Sequence, residues 1–261
     1  MSTEAVWLIV AGVGAGLAGS VAGLASLASY PALLAVGLPP VAANVTNTVA
    51  LFGVTSGTIA GSQRELRGQR RRVLRLSALA FGGGSAGAAL LLLTPAGAFE
   101  AVVPWLVALG STLLLMRDRI RRWFQRWAAS RSPVRARPDE CLRRAFWAAA
   151  VLLVSIYGGY FGAGVGILAL AVLALERSEP LAVTNAVKNV ATGTANGAAA
   201  IAYLLFAPVD WHAALALGSG AIVGGAAGPA IVRIAPEAPL RWLVGAAGLA
   251  LSARLAWSAY L

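Results

Sequence analysis

Apolar residues run in long blocks along this chain, separated by short polar or glycine-rich stretches. The blocks at 77–93, 99–116, 212–232 and 240–258 approach the roughly 20 residues that cross a bilayer as a helix. Segment 5–38 does not fit that length. As one helix it would reach about 50 Å, against a hydrocarbon core of about 30 Å. Glycines at 12, 14, 16, 19 and 23 predict a break, giving two short helices before the turn Leu38-Pro39-Pro40. Segment 145–175 repeats the case, with its break around Gly158–Gly166. Each half then offers about five hydrophobic elements, two of them short. The expected class is an all-α polytopic membrane protein.

Residues 117–144 divide the chain into an N-terminal membrane repeat, 1–116, a basic linker, 117–144, and a C-terminal membrane repeat, 145–261. The first part of the linker, through Trp123, Phe124 and Trp127, reads as a basic amphipathic surface helix. The two halves look related. GSVAGLASL and then NVTNTVALFGVTSGT in the first answer to GGYFGAGVG and then TNAVKNVATGTANG in the second. Pairing Asn47 with Asn185 also pairs Thr46 with Thr184 and Thr58 with Asn196. An odd number of elements per half makes the second half an inverted repeat. Loop charges agree: the loop after the first Thr/Asn block is Arg-rich, while its counterpart around Asp210 has no Arg or Lys. Conversely, the Thr94–Glu100 region is acidic where its counterpart carries Arg233 and Arg241. Four crossings per half, a parallel repeat, is the alternative.

Composition narrows the function. Charged residues make up 12% of the chain and hydrophobic ones 59%, with a mean hydropathy of +0.76. A soluble domain carries roughly a quarter charged residues. The net charge of +11 suggests nucleic acid until it is mapped. Residues 64–75 and 117–144 hold sixteen of the 21 basic residues, the mark of cytoplasmic loops on a multi-pass inner-membrane protein. No nucleic-acid partner is expected; the lipid bilayer and a small anion are. The N-terminus MSTEAVW lacks the basic region of a cleaved signal peptide, so the first segment is expected to be retained. A lone Cys141 and a lone His212 give no disulfide, no metal set and no nucleophile–base pair, so neither metal, cofactor nor enzyme activity is expected. GAGLAG at Gly14–Gly19 lacks the strand and acid of a dinucleotide site.

One polar block remains. Lys188 is the only lysine. On a helix from about Leu181, residues Asn185, Asn189, Thr192 and Asn196 fall within about 60° of one another, with Lys188 on the flank. The first half offers Asn44, Asn47 and Thr58 on one face, beside Thr46; Thr184 opens the second block. Lipid cannot satisfy such groups. They either bind helices together, with Lys188 reaching for the interface, or meet near the midplane as a substrate site. All ten acidic residues fall in loops or at segment ends, so Lys188 is expected to lack a carboxylate and to receive an anion. Gly162 and Gly164 belong to a break whose amides suit an anion, or they serve only close packing.

At these residues the sequence resembles the TauE/SafE family of sulfite exporters. YGGYFGAGVGILALAVLAL (Tyr157–Leu175), TNAVKNVATGTANGAAAIAY (Thr184–Tyr203) and the stretch Val209–Gly248 carry the resemblance. It assigns Asn185, Lys188, Asn189 and Asn196 to the family's Asn-Ala-x-Lys-Asn pattern. In the first half Gly23-Leu24-Ala25-Ser26-Leu27 departs from the Gly-x-Gly-Gly-Gly often found there. The resemblance implies export of sulfite, an organosulfonate or a related anion. The expected function is a secondary transporter working by alternating access at the repeat interface, as monomer or homodimer. A lysine desolvated in the empty state offers a route to proton coupling. An anion channel and a non-transporting membrane scaffold are the alternatives.

Overall fold

The computed structural model describes residues 3–22, 25–61, 64–129, 140–176, 179–232 and 237–260. Ten α-helices lie within them: α1 (Thr3–Ala22), α2 (Ala25–Ala35), α3 (Pro40–Gly61), α4 (Arg70–Leu93), α5 (Ala96–Ala129), α6 (Glu140–Tyr160), α7 (Val165–Glu176), α8 (Leu181–Phe206), α9 (Trp211–Val232) and α10 (Glu237–Tyr260). Five fall in each half, as expected. Two of them, Arg70–Leu93 and the Ala96–Met116 part of α5, are long and apolar enough to cross a membrane by themselves.

The packing inverts the usual distribution of residue sizes. Interior positions are dominated by alanine, glycine and a few branched residues, such as Ala80, Ala195, Ala199 and Leu217. Bulky apolar groups face outward: Trp7, Phe81, Trp105, Leu205, Phe206, Leu215, Trp242 and Trp257 are all more than half exposed. Small residues let helix backbones meet, and the outer shell suits lipid. The class is an all-α membrane protein.

Two corrections follow for the sequence reading. The first segment is divided into two helices before the turn, as expected, but α1 runs through Gly12, Gly14, Gly16 and Gly19 to Ala22, and α2 begins at Ala25. Only α2 and α7 are short, with 11 and 12 residues. Gly12 and Gly16 instead lie where an added Cβ would strike the backbone of Leu217 and Ala221 on α9. They permit contact with α9 rather than bending α1. The residues around Trp123 form no separate surface helix either. They continue α5, which at 34 residues reaches about 50 Å, well beyond a bilayer core.

Close approaches fix the running sense of each helix. Along α1 and α9, Ile9 meets Gly220 and Val13 meets Gly224, so both run the same way. Along α4 and α6, Gly83 meets Leu152 and Ser155, and Gly87 meets Ile156 and Tyr160; these also run together. Thr46 and Ala50 of α3 meet Asp210 and Gly218 at the start of α9, so α3 joins α1 and α9. Gly84 rests on Ala195, and Arg72 near the start of α4 binds Glu179 just before α8, so α8 joins α4 and α6. The two sets oppose each other. Phe52 of α3 packs on Gly197, while the Asn44 end of α3 and the Tyr203 end of α8 both reach the C-terminus of α6. Finally α5 and α10 are antiparallel, with Ser111 on Gly248 and the Pro104 carbonyl accepting from Ser252.

Candidate functional site

The α6–α7 break is built by local chemistry. Both Phe161 and Gly162 donate their N–H to the Tyr157 carbonyl, and Val165 donates to Gly162. Gly162 and Gly164 have φ of 78° and 74°, the left-handed region in which glycine ends helices without strain from a Cβ. The Tyr157 hydroxyl donates to the Ala163 carbonyl at 2.6 Å, tying the turn to its own helix. Phe161 plugs it into the first half, edge-on to Tyr30 with ring centroids 5.2 Å apart.

Two long-range donors finish the end of α6. Asn44 Nδ2 donates to the Tyr160 carbonyl at 2.9 Å, and the Tyr203 hydroxyl donates to the Gly159 carbonyl. These satisfy carbonyls that a helix end leaves bare. Asn44 thus serves as a helix cap supplied from the other half. Its Oδ1 is buried with no partner among the described residues. Nearby, Asn47 Oδ1 accepts from the buried Ser29 hydroxyl, and Thr46 Oγ1 accepts from the Asp210 amide at 3.1 Å.

The second-half block sits elsewhere. With Phe52 level with Gly197 and the two helices antiparallel, Asn47 lies level with residues near 202. It is then about 20 Å along the axis from Lys188 at 1.5 Å per residue. The structure therefore does not bring Asn44, Thr46 and Asn47 together with Thr184, Asn185, Lys188 and Asn189. The first group gathers at the α8–α9 end, the second at the Arg-rich end. Asn196, two turns beyond Lys188, is the member nearest the crossing. Thr58 lies on α3, with its side chain outside the described residues.

Lys188 also departs from expectation. It is 6% exposed, on the buried face of α8 with Thr184, Ala191 and Ala195, while Asn185 faces outward and Asn189 and Asn196 are half-buried. The stripe flanks the lysine, not the reverse. Lys188 is not a vacant cation either, because it already takes part in an interaction within the protein. Thr192 Oγ1 donates to its carbonyl at 2.9 Å, and Thr184 Oγ1 reaches the Pro180 carbonyl, so these hydroxyls are engaged with their own helix.

A pocket opens one turn beyond the lysine, between α4, α6, α7 and α8. Its walls are apolar, from Leu76, Val151, Val165 and Leu173, with Ser155, Thr192 and Asn196 as the polar groups. Its volume of about 20 Å³ is room for about one water. At its Arg-rich end lies a group the sequence reading missed. Arg72 Nε and Nη2 donate to Glu176 Oε2 at 2.9 and 2.7 Å, and Nη1 donates to Glu179. Side-chain exposure is 7% for Arg72, 21% for Glu176 and 17% for Glu179, so this is a buried ion triad. The signal was present in the sequence. Arg72, Leu76, Ala80 and Gly84 recur every fourth residue on the buried stripe of α4.

Such an arrangement, small-residue helix packing around breaks and buried polar groups, is that of a membrane transporter. The family model for the sulfite exporter TauE/SafE matches residues 8–255, and the chain belongs to that family. It is also similar to a protein of Sinorhizobium sp described as probable membrane transporter protein ORF9. The identity is 26% over 251 residues, covering 95% of this chain and 91% of that one. No solved structure matches.

Proposed function

We propose that this protein is a secondary transporter that exports a small sulfur-containing anion, such as sulfite or an organosulfonate, from the cytoplasm. The halves act as inverted repeats. In support, α1, α3, α4 and α5 each run opposite to their counterparts α6, α8, α9 and α10. Residues 64–75 and 117–144 are cytoplasmic in this reading, by the charge of their arginines, and proton movement accompanies the anion. The protein carries out no covalent chemistry on its cargo.

The observation that carries the reading is the pocket between α4, α6, α7 and α8, whose α8 wall carries Thr192 and Asn196 one and two turns beyond the buried Lys188. The carboxamide of Asn196 supplies a hydrogen-bond donor to an anion there, and Lys188, already engaged within the protein, exchanges its partner for the cargo. With room for about one water, the pocket does not hold such an anion in this conformation. Binding requires α7 or α8 to move relative to α4 and α6, as alternating access demands.

The test is binding of sulfite, sulfate, thiosulfate, sulfoacetate, taurine and simple carboxylates to the purified protein by scintillation proximity. A sulfur oxyanion is expected to bind best, and Lys188→Ala to weaken it at least about tenfold. Equal binding by the variant sinks the site; preference for carboxylates sinks the substrate class. Counterflow separates a carrier from a channel, since only a carrier speeds exchange when substrate is on both sides.

A further inference from the structure

Resting on that transporter reading, we propose that Arg72 is the oxyanion receptor at the Arg-rich mouth of the pocket, with Glu176 and Glu179 holding its guanidinium until an anion displaces them. The triad sits directly over the pocket. Leu76 is one turn inward from Arg72 on α4, and Leu173 is one turn inward from Glu176 on α7; both line the cavity. Arg72 joins α4 to the end of α7 and to the segment leading into α8. The three elements closed together by the triad are three of the pocket's four walls.

The chemistry favours exchange. A guanidinium presents donors in a planar fork that matches two oxygens of a carboxylate, a sulfonate or a sulfite. The two glutamates therefore occupy the donors an incoming anion would use, and the charge is paired in the absence of cargo. When an oxyanion takes the fork, the tie to α7 and α8 is released while Arg72 keeps its hydrogen bonds. Receptor and latch are then one group. The opposite mouth has no equivalent: residues 36–48 and 207–218 contain neither Arg nor Lys.

The experiment uses the full-length protein in nanodiscs with Cys141→Ser and Ala191→Cys, the latter on the pocket wall. Two readouts are taken: the rate of labelling by a polar maleimide without ligand, and binding of [35S]sulfite. Glu176→Gln with Glu179→Gln should raise labelling and tighten sulfite binding, each by about tenfold, the worth of a hydrogen bond to a charged group. Adding Arg72→Gln removes all three charges of the triad at once, so no member of it is left as a buried ion without its partners. This triple variant should stay open to label yet bind sulfite at least about tenfold more weakly than the double variant. Unchanged labelling and binding in the double variant would make the triad a structural tie and overturn the proposal. Equal sulfite binding by the double and triple variants overturns Arg72 as receptor while leaving the transporter reading intact. Absence of sulfite binding in wild type and double variant alike overturns the receptor together with sulfite as the cargo.

Discussion

The two ends of this helix bundle, the Arg-rich mouth and the opposite one, are held by different chemistry. At the Arg-rich mouth, where α4 and α8 begin, one arginine and two glutamates join three elements. At the other mouth, where α3 and α9 begin, the equivalent contact is a single neutral hydrogen bond from the Asp210 amide to Thr46. The framework between them is matched: α1 packs along α9 through Gly12, Gly16, Gly220 and Gly224, and α6 packs along α4 through Gly83, Gly84, Gly87 and Gly159. The two helix pairs thus match in their backbone contacts but not in the charged groups at their ends. Removing one partner of a buried ion group costs more than losing one neutral hydrogen bond, so the two ends should differ in their sensitivity to substitution.

The largest expected effect tests the ionic mouth. Arg72→Ala strands two carboxylates that are each less than a quarter exposed, and breaking a buried ion group this way costs about 3–5 kcal/mol. Thermal unfolding in detergent should show a clear loss. Arg72→Ala combined with both Glu→Gln changes should recover most of it. If the single variant unfolds like wild type, the triad is not closed in the membrane and the contrast between mouths disappears.

Next in size is the matched framework. A Cβ on Gly224 would run into the Val13 carbonyl, and one on Gly87 into the Ile156 carbonyl. Neither neighbour is a flexible side chain, so the helices must separate. Gly224→Val and Gly87→Val are each expected to cost about 3 kcal/mol, read as a lower midpoint in the same assay. Similar losses support equivalent interfaces. A harmless change at one and a ruinous change at the other would break the equivalence.

Much of this was legible beforehand. Five elements per half, the short α2 and α7, and the turn at Gly162 and Gly164 follow from block lengths and glycine placement. Two features were not. The glycines of α1 read as a break because periodicity within one segment cannot reveal that α9, some two hundred residues later, needs the space. Lys188 read as vacant because all ten acidic residues fall in loops or at segment ends, yet it takes part in an interaction within the protein. Glutamates at segment ends were set aside as solvated, yet Glu176 and Glu179 are buried against an arginine 104 and 107 positions earlier. A helix end in a bundle of short helices need not lie in water, so position along a segment is a poor guide to depth. The cap made by Asn44 was equally hidden, because its acceptor lies 116 positions later. The polarity of Asn44 suggested cargo, while the structure spends its amide on the bare end of α6.

That cap sets a smaller prediction. Tyr203→Phe removes the hydroxyl from the Gly159 carbonyl without changing packing, since Tyr203 is fully buried. The expected loss is about 1–2 kcal/mol, a buried acceptor left unpaired. Hydrogen exchange should rise at the α6–α7 turn more than at the ends of α1 and α2. Uniform exchange would mean that the turn is held by packing of Phe161 alone.

The smallest effect belongs to the neutral mouth. Thr46→Val keeps the shape of a fully buried side chain and removes only the acceptor for the Asp210 amide. Asp210 is exposed, so water can take the place of the lost hydroxyl, and its Oδ1 still caps α9 through the Ala213 amide at 2.9 Å. The net loss should be about 0.5–1 kcal/mol, several-fold below that of Arg72→Ala. The variant should also bind sulfite as wild type does, because nothing charged has changed. A loss as large as that at Arg72 would show that both mouths are held with equal force, and the contrast between them would disappear.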